Sequence, residues 1–528
     1  MTHDLSSSPK TRYRGLPWFP ITVALLGAAA VFYIRSLPEF ERNLTSWLTV
    51  GIPLLVVIVN CVWFMITPRF SWRLRLAGLA SLLLVGGVAK WMTRVDGTLD
   101  GTGFPKIVWR WSESDTATLA SMQEIVPTEG WTPDKSMLAQ SADVPQFLGP
   151  NRNGTITGAK LAHDWESQPP KELWRQPIGL GWSAYAVVQG RAYTQEQRGE
   201  EEMVTSYDLF TGKLLWSHAD PVRFSQWQSG DGPHATPTVH AGRVYAYGAT
   251  GLLTCLDAST GKKVWQRSVL AENELENIEW GVSASPLIVD DKVIVTGGKT
   301  KGPVLFAYQI GSGELVWKAG DDQACYSSPV LATLAGKRVI LSNNVRSLTA
   351  YDPATGAVLM DHEWGGTNWP KASQPLVLGQ DRVFLSAGYG MGCQMLEIKP
   401  AEDGTLTATQ LWTGMKMKTQ FNSAAARDGY AYGLDDGRLA SLDLATGERL
   451  WKEGRFASGQ TLLVDDVILI QSEGGRVHLA AAKPDGFQEL GKINALSSKT
   501  WNHPTLAGRY LLVRNDREAV CYELPVAK

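Results

Sequence analysis

The sequence predicts an all-β protein: an eight-bladed β-propeller of four-stranded antiparallel blades, preceded by an α-helical membrane anchor of three transmembrane helices. Three observations predict it. Three apolar runs stand close together at the N-terminus, a turn motif recurs along the remainder, and the incomplete repeats at the two ends of that remainder complete each other. Composition agrees with this reading. Of 528 residues, 44% are hydrophobic and 19% charged, which excludes intrinsic disorder. Fifty basic against 52 acidic side chains leave a net charge of -2, without the basic excess of a dedicated nucleic-acid binder. Tryptophan (21) outnumbers both tyrosine (15) and phenylalanine (14), and the 52 glycines are many. A repeated packing aromatic and a repeated tight turn would require both.

The apolar runs are Pro17–Ile34, Ser46–Ile66 and Leu76–Met92. Each approaches the roughly 20 residues that cross a bilayer. Two further spans and no convincing cleavage site follow the first closely, so it is expected to be a span and not a secretory signal. Lys10, Arg12 and Arg14 precede the first span, and Arg69, Arg73 and Arg75 separate the second from the third. The first loop instead holds Glu39 and Glu41 against Arg42. Positive charge marks the cytoplasmic side, so the N-terminus is expected inside and everything after Met92 outside, with the chain in the inner membrane and the propeller periplasmic. Asn60, within span two, is expected to hydrogen-bond a neighbouring helix. Residues 1–92 thus form the anchor, 93–143 a linker and 144–528 the propeller.

The repeat reads apolar-x-Asp-x-x-Thr-Gly-x-x-x-Trp. Copies place Asp208, Gly212 and Trp216; Asp257, Gly261 and Trp265; and Asp443, Gly447 and Trp451. A drifted copy has Gln309, Gly313 and Trp317, and another keeps Asp352 and Gly356 but carries Met360 at the aromatic site. Degenerate copies end at Trp412 and near Leu490. The motif encodes a strand, a tight turn and a return strand, with the aspartate accepting backbone N–H groups and the glycine supplying positive φ. A period of about 40–50 residues indicates propeller blades. Trp174 has an outer strand with no inner strands before it, and Val520–Leu524 has inner strands with no outer strand after it. Joined, they close an eighth blade and remove the open sheet edges.

The five cysteines, Cys61, Cys255, Cys325, Cys393 and Cys521, include no C-x-x-C pair. They are expected to fill core, and one long-range bridge stays open. The repeat aspartates and tryptophans recur at one turn position, so their expected role is structural and no catalytic residue is assigned. Residues just before each inner strand should crowd one mouth of the central channel. These are Trp182; Asp231 and His234; Glu279 and Trp280; Cys325 and Tyr326; Trp369 and Lys371; Gln420 and Asn422; and Trp501, Asn502 and His503. Aromatics and amides converging on a concavity suit a ligand. If a small ligand binds, His234, Trp280, Asn422, Trp501 and His503 should share one cavity. Asp231 with His234 makes no metal site without further ligands, and none is assigned.

The motif resembles the tryptophan-docking repeat of pyrroloquinoline-quinone (PQQ) dehydrogenases and of BamB-type outer-membrane assembly lipoproteins. The likeness runs over about Val144–Leu524. The stretches Phe147–Gly154 and Lys499–Pro504 are similar to those of membrane-anchored PQQ-binding-like propeller proteins. The resemblance implies either a binding or scaffolding module of the bacterial envelope with protein partners, or a membrane-bound PQQ dehydrogenase oxidising an alcohol or sugar. The adjacent-cysteine disulfide of many such dehydrogenases is missing, and their calcium and catalytic-aspartate motifs find no match here. PQQ with calcium therefore has no motif support, and the residues alone do not decide whether the chain is an enzyme.

Overall fold

The computed structural model describes residues 16–37, 39–112, 131–365 and 370–527. Lys10, Arg12, Arg14 and Trp369, all used above, lie outside the described residues. Contacts divide the chain into two compact units, one of residues 1–96 with 102–112 and one of 97–101 with 113–528.

In the first unit, α1 (Trp18–Ser36), α2 (Arg42–Ile66) and α3 (Trp72–Met92) are each long and apolar enough to cross a membrane. Nearly continuous apolar sequence gives them no polar face, as lipid requires and water forbids. Arg75, in the first turn of α3, donates to the carbonyls of Met65, Thr67 and Phe70 and so ties off the end of α2. Asn60 departs from its expected bond: its Oδ1 is buried without a partner.

The second unit is the eight-bladed propeller. Each blade is an antiparallel sheet whose strands run outward from the axis in chain order. Blade 1 spans Ala186–Asp220, blade 2 Thr238–Ser268, blade 3 Leu287–Ala319 and blade 4 Val330–Glu363. Blade 5 spans Leu376–Gly414, blade 6 Ala425–Glu453 and blade 7 Gln460–Asn494. Blade 8 takes three strands from Thr505–Glu523 and its outermost, Lys171–Pro177, from the start of the domain. Cys521 pairs with Trp174 in that closing register. Arg514, fully buried, staples blade 8 to blade 1 by donating to Thr194 Oγ1 and to the carbonyls of Gln195, Gly179 and Gly181.

The turn motif explains how neighbouring blades hold each other. Oδ1 of Asp208 accepts from the N–H groups of Phe210 and Thr211, and Asp257, Asp352 and Asp443 cap their turns in the same way. The glycine that follows, at φ of 71–76° in Gly212, Gly261, Gly356 and Gly447, is the landing site for the tryptophan of the preceding blade. Trp174 lies on Gly212, Trp216 on Gly261, Trp265 on Gly313 and Trp412 on Gly447. Each indole N–H donates to the carbonyl of the residue that follows the motif's Asp position: Leu209, Ala258, Ile310 and Leu444. Trp317 stacks on Gly356 but leaves its N–H without an acceptor. Trp451 donates to Lys483 of blade 7.

The segment that opens the domain runs along the innermost strands of several blades. Val144 pairs with Val187, Val239 donates to Pro145, and Thr155–Ile156 runs parallel to Leu463–Val464. Arg152, 3% exposed, reaches the carbonyls of Ser285 and Pro286. Five cysteines are free, four of them buried and Cys61 half-buried.

Candidate functional site

The loops before the inner strands gather aromatic rings at one mouth. Trp182 and Trp501, from blades adjacent in space but distant in sequence, face each other at 4.8 Å, and Phe421 lies 5.5 Å from Trp501. Trp280 and Tyr326 pair at 5.3 Å, with the Trp280 backbone N–H donating to the Tyr326 hydroxyl. The Trp280 indole donates to Gln228 and that of Trp182 to the Ser229 carbonyl. Lys499 sits 4.3 Å from the Trp501 ring and 5.5 Å from the Trp182 ring, a cation shared by two π faces.

Two elements absent from the sequence reading complete this mouth. Glu473, 4% exposed, accepts from the Trp501 indole at 2.7 Å and from the Ser458 amide. It belongs to the turn between the middle strands of blade 7, a loop class that reaches the same face as the loops before the inner strands. The other is Gly97–Gly101. Gly101 N–H donates to Glu473 Oε1 at 2.5 Å, Lys499 donates to the Thr98 carbonyl at 3.0 Å, and the Thr98 hydroxyl donates to the Gln228 carbonyl. Gln420 donates to the Gly101 carbonyl at 3.4 Å.

The remaining residues named from sequence do other things. Asp231 sits in a small hairpin, its carboxylate held by Arg223 and Ser225. His234 contacts Ser283 through Nδ1, while Nε2 is shut from solvent without a partner and burial pushes the ring down to about 4. Lys371 is fully buried, with Nζ donating to the carbonyls of Asn344, Val345 and Trp364; burial lowers it to about 8. The Lys371 amide donates to Cys325 Sγ, and burial raises that thiol, the opposite of what a nucleophile requires. Asn422 exchanges both its groups with the Leu434 backbone. Asn502 donates to Gly181 and Ser183 and so fastens blade 8 to blade 1. His503, held down to about 4 by burial, contacts the Thr461 carbonyl and meets the Phe147 ring at 5.7 Å. It lines a recess with Leu148, Tyr185 and Leu462 that has room for roughly one water. Trp182, Trp280, Tyr326 and Trp501 thus bring their rings to the mouth, while Asn422, Asn502 and His503 bind backbone.

The arrangement can hold a peptide turn against aromatic faces, with a carboxylate for N–H groups and a lysine and an amide for carbonyls. It offers no flat slot, because Trp182 and Trp501 lie against each other and Gly97–Gly101 lies on the same side chains. Among the described residues, no three His, Cys, Asp or Glu side chains converge as a metal site.

A family model described as outer membrane protein assembly factor BamB matches residues 200–453. The propeller's repeats are similar to the PQQ-like, BamB-type ones. BamB of Yersinia pestis is 24% identical over 368 residues, 64% of this chain and 86% of that protein. Quinohemoprotein alcohol dehydrogenase ADH IIB of Pseudomonas putida is 24% identical over 279 residues, 47% of this chain and 39% of that protein. In fold, this PQQ-like propeller is similar to BamB from Moraxella catarrhalis, with a TM-score of 0.51 at 16% identity, covering 67% of this chain and 100% of that one. It is also similar to the quinohemoprotein alcohol dehydrogenase of Comamonas testosteroni, with a TM-score of 0.54 at 13% identity, covering 77% and 84%. The PQQ-like repeat therefore accounts for the architecture, and both kinds of relative share it.

Proposed function

We propose that the chain is a binding or scaffolding module of the bacterial cell envelope: an extracytoplasmic propeller held on the inner membrane by its helices and engaging envelope proteins. The observation that carries this reading is the filled mouth. Where a planar quinone would need an open slot, two tryptophans lean on each other and Gly97–Gly101 takes up the surrounding polar groups. BamB relatives over most of their own length support envelope partners, whereas the match to the quinohemoprotein dehydrogenase covers 39% of that enzyme.

The alternative, a membrane-bound PQQ dehydrogenase acting on an alcohol or sugar, has the dehydrogenase relatives in its favour and the mouth geometry against it. PQQ and calcium do not fit the residues present, so no reaction step is routed through them. The test is direct. Full-length protein in detergent, incubated with PQQ and calcium and then desalted, should retain no stoichiometric quinone absorbance. It should also give no dye-linked oxidation of primary alcohols or glucose. Stoichiometric retention with turnover would replace the scaffold by the dehydrogenase.

A further inference from the structure

We propose that the propeller mouth is a peptide-binding site, and that Gly97–Gly101 is its resident ligand in cis. The inference rests on the binding-module reading and names what the module binds: a short peptide turn with a glycine at each end, as at the tip of a hairpin. Recognition runs mainly through the peptide backbone. Glu473 takes the Gly101 N–H at 2.5 Å, Lys499 takes the Thr98 carbonyl at 3.0 Å and Gln420 takes the Gly101 carbonyl at 3.4 Å. Glu473 comes from the turn between the middle strands of blade 7, and Gln420 and Lys499 from the loops before blades 6 and 8, so three consecutive blades together build the site.

The glycines are required for distinct reasons. Gly97 adopts φ of +74°, which ordinary side chains avoid. At Gly101 an added Cβ would collide with Ser458 and lie 2.8 Å from the Phe421 ring. Thr98 is 2% exposed and Gly101 is buried, whereas Leu99 between them is 59% exposed. The segment is therefore held by its ends and its backbone, and it shows its central side chain outward. That is how a bound peptide is held, and it differs from a linker crossing a surface. The polar groups it meets are built into the fold, since Glu473 also fixes the Trp501 indole and the Ser458 amide. A segment supplied in trans with the same backbone and glycines would meet the same donors and acceptors. It must compete with an occupant whose effective concentration is high, because the two are joined.

The test uses the full-length chain in detergent. A fluorescent peptide carrying the sequence of residues 95–104 is titrated by anisotropy against three proteins: the wild type, Gly101→Leu, and a chain with residues 97–101 replaced by five serines. Both altered chains should bind at least ten-fold tighter than the wild type, because their own segment no longer competes. Adding Glu473→Gln to the serine chain should weaken binding about ten-fold, and a scrambled peptide should not bind. The serine chain decides if Gly101→Leu fails to fold. Equal weak binding to all folded chains overturns the proposal, as does binding to the wild type as tight as to the altered chains. Quinone retention would instead remove the function reading beneath it, so the two failures are told apart.

Discussion

Each Thr-Gly turn glycine answers two demands at once, positive φ and the absence of a Cβ under a neighbour's indole. At Gly261 φ is +71° and a Cβ would stand 2.6 Å from the Trp216 ring. Gly336 has nearly the same backbone, φ +76°, with nothing within 4 Å of the added carbon. The pair separates the demands. Gly336→Ala should cost about 1 kcal/mol, the left-handed backbone alone. Gly261→Ala should cost roughly 1–3 kcal/mol more, because the ring must shift and its contacts loosen. Urea unfolding of both variants, followed by tryptophan fluorescence, reads the difference. Equal losses would mean that the stacked tryptophan contributes nothing to holding blades together.

Whole strands follow the same logic, and it explains the degenerate repeats. Met360, on the outer strand of blade 4, faces blade 5, whose strands Gly392–Pro400 and Leu406–Gly414 are longer and joined without a Thr-Gly turn. Leu490 belongs to blade 7 and faces blade 8, where the outer strand comes from Lys171–Pro177 and no turn follows Glu523. A tryptophan in either place would have no glycine to land on. The closing strand itself leads to a second expectation. Deleting Lys171–Gln176 removes the register opposite Ala519–Glu523 and leaves an unpaired edge. Soluble, monodisperse yield in detergent should fall by several-fold, while an equal deletion of 114–119, outside the described residues, should be tolerated. Equal yields would argue against closure by this strand.

Across the whole molecule, the charge asymmetry of the helical region makes its own prediction about orientation. Arg69, Arg73 and Arg75 crowd the second connection, while Glu39 and Glu41 occupy the first. A reporter active only outside the cytoplasm should work when fused after Lys528 and fail when fused after Arg69. The reverse pair of activities would overturn the proposed periplasmic side.

The sequence by itself determined the architecture, because its signals are local and repeated. Apolar runs of bilayer length stand out without partners, and a turn that needs Asp, Thr and Gly at fixed offsets marks every blade that has one. Even closure could be read, since an orphan outer strand at Trp174 and orphan inner strands ending at Leu524 complement each other. The mouth was legible only in part. Its rings were found because they precede inner strands, but Asn422, Asn502 and His503 share that position and turn to the backbone instead. Glu473 and Gly97–Gly101 carried no motif at all, and Lys499 stood only at the start of a stretch noted for its likeness. Their roles were decided by the closed ring, which brings together loops hundreds of residues apart. Which side chains then meet depends on packing and hydrogen-bond satisfaction among those loops, and no local pattern encodes that.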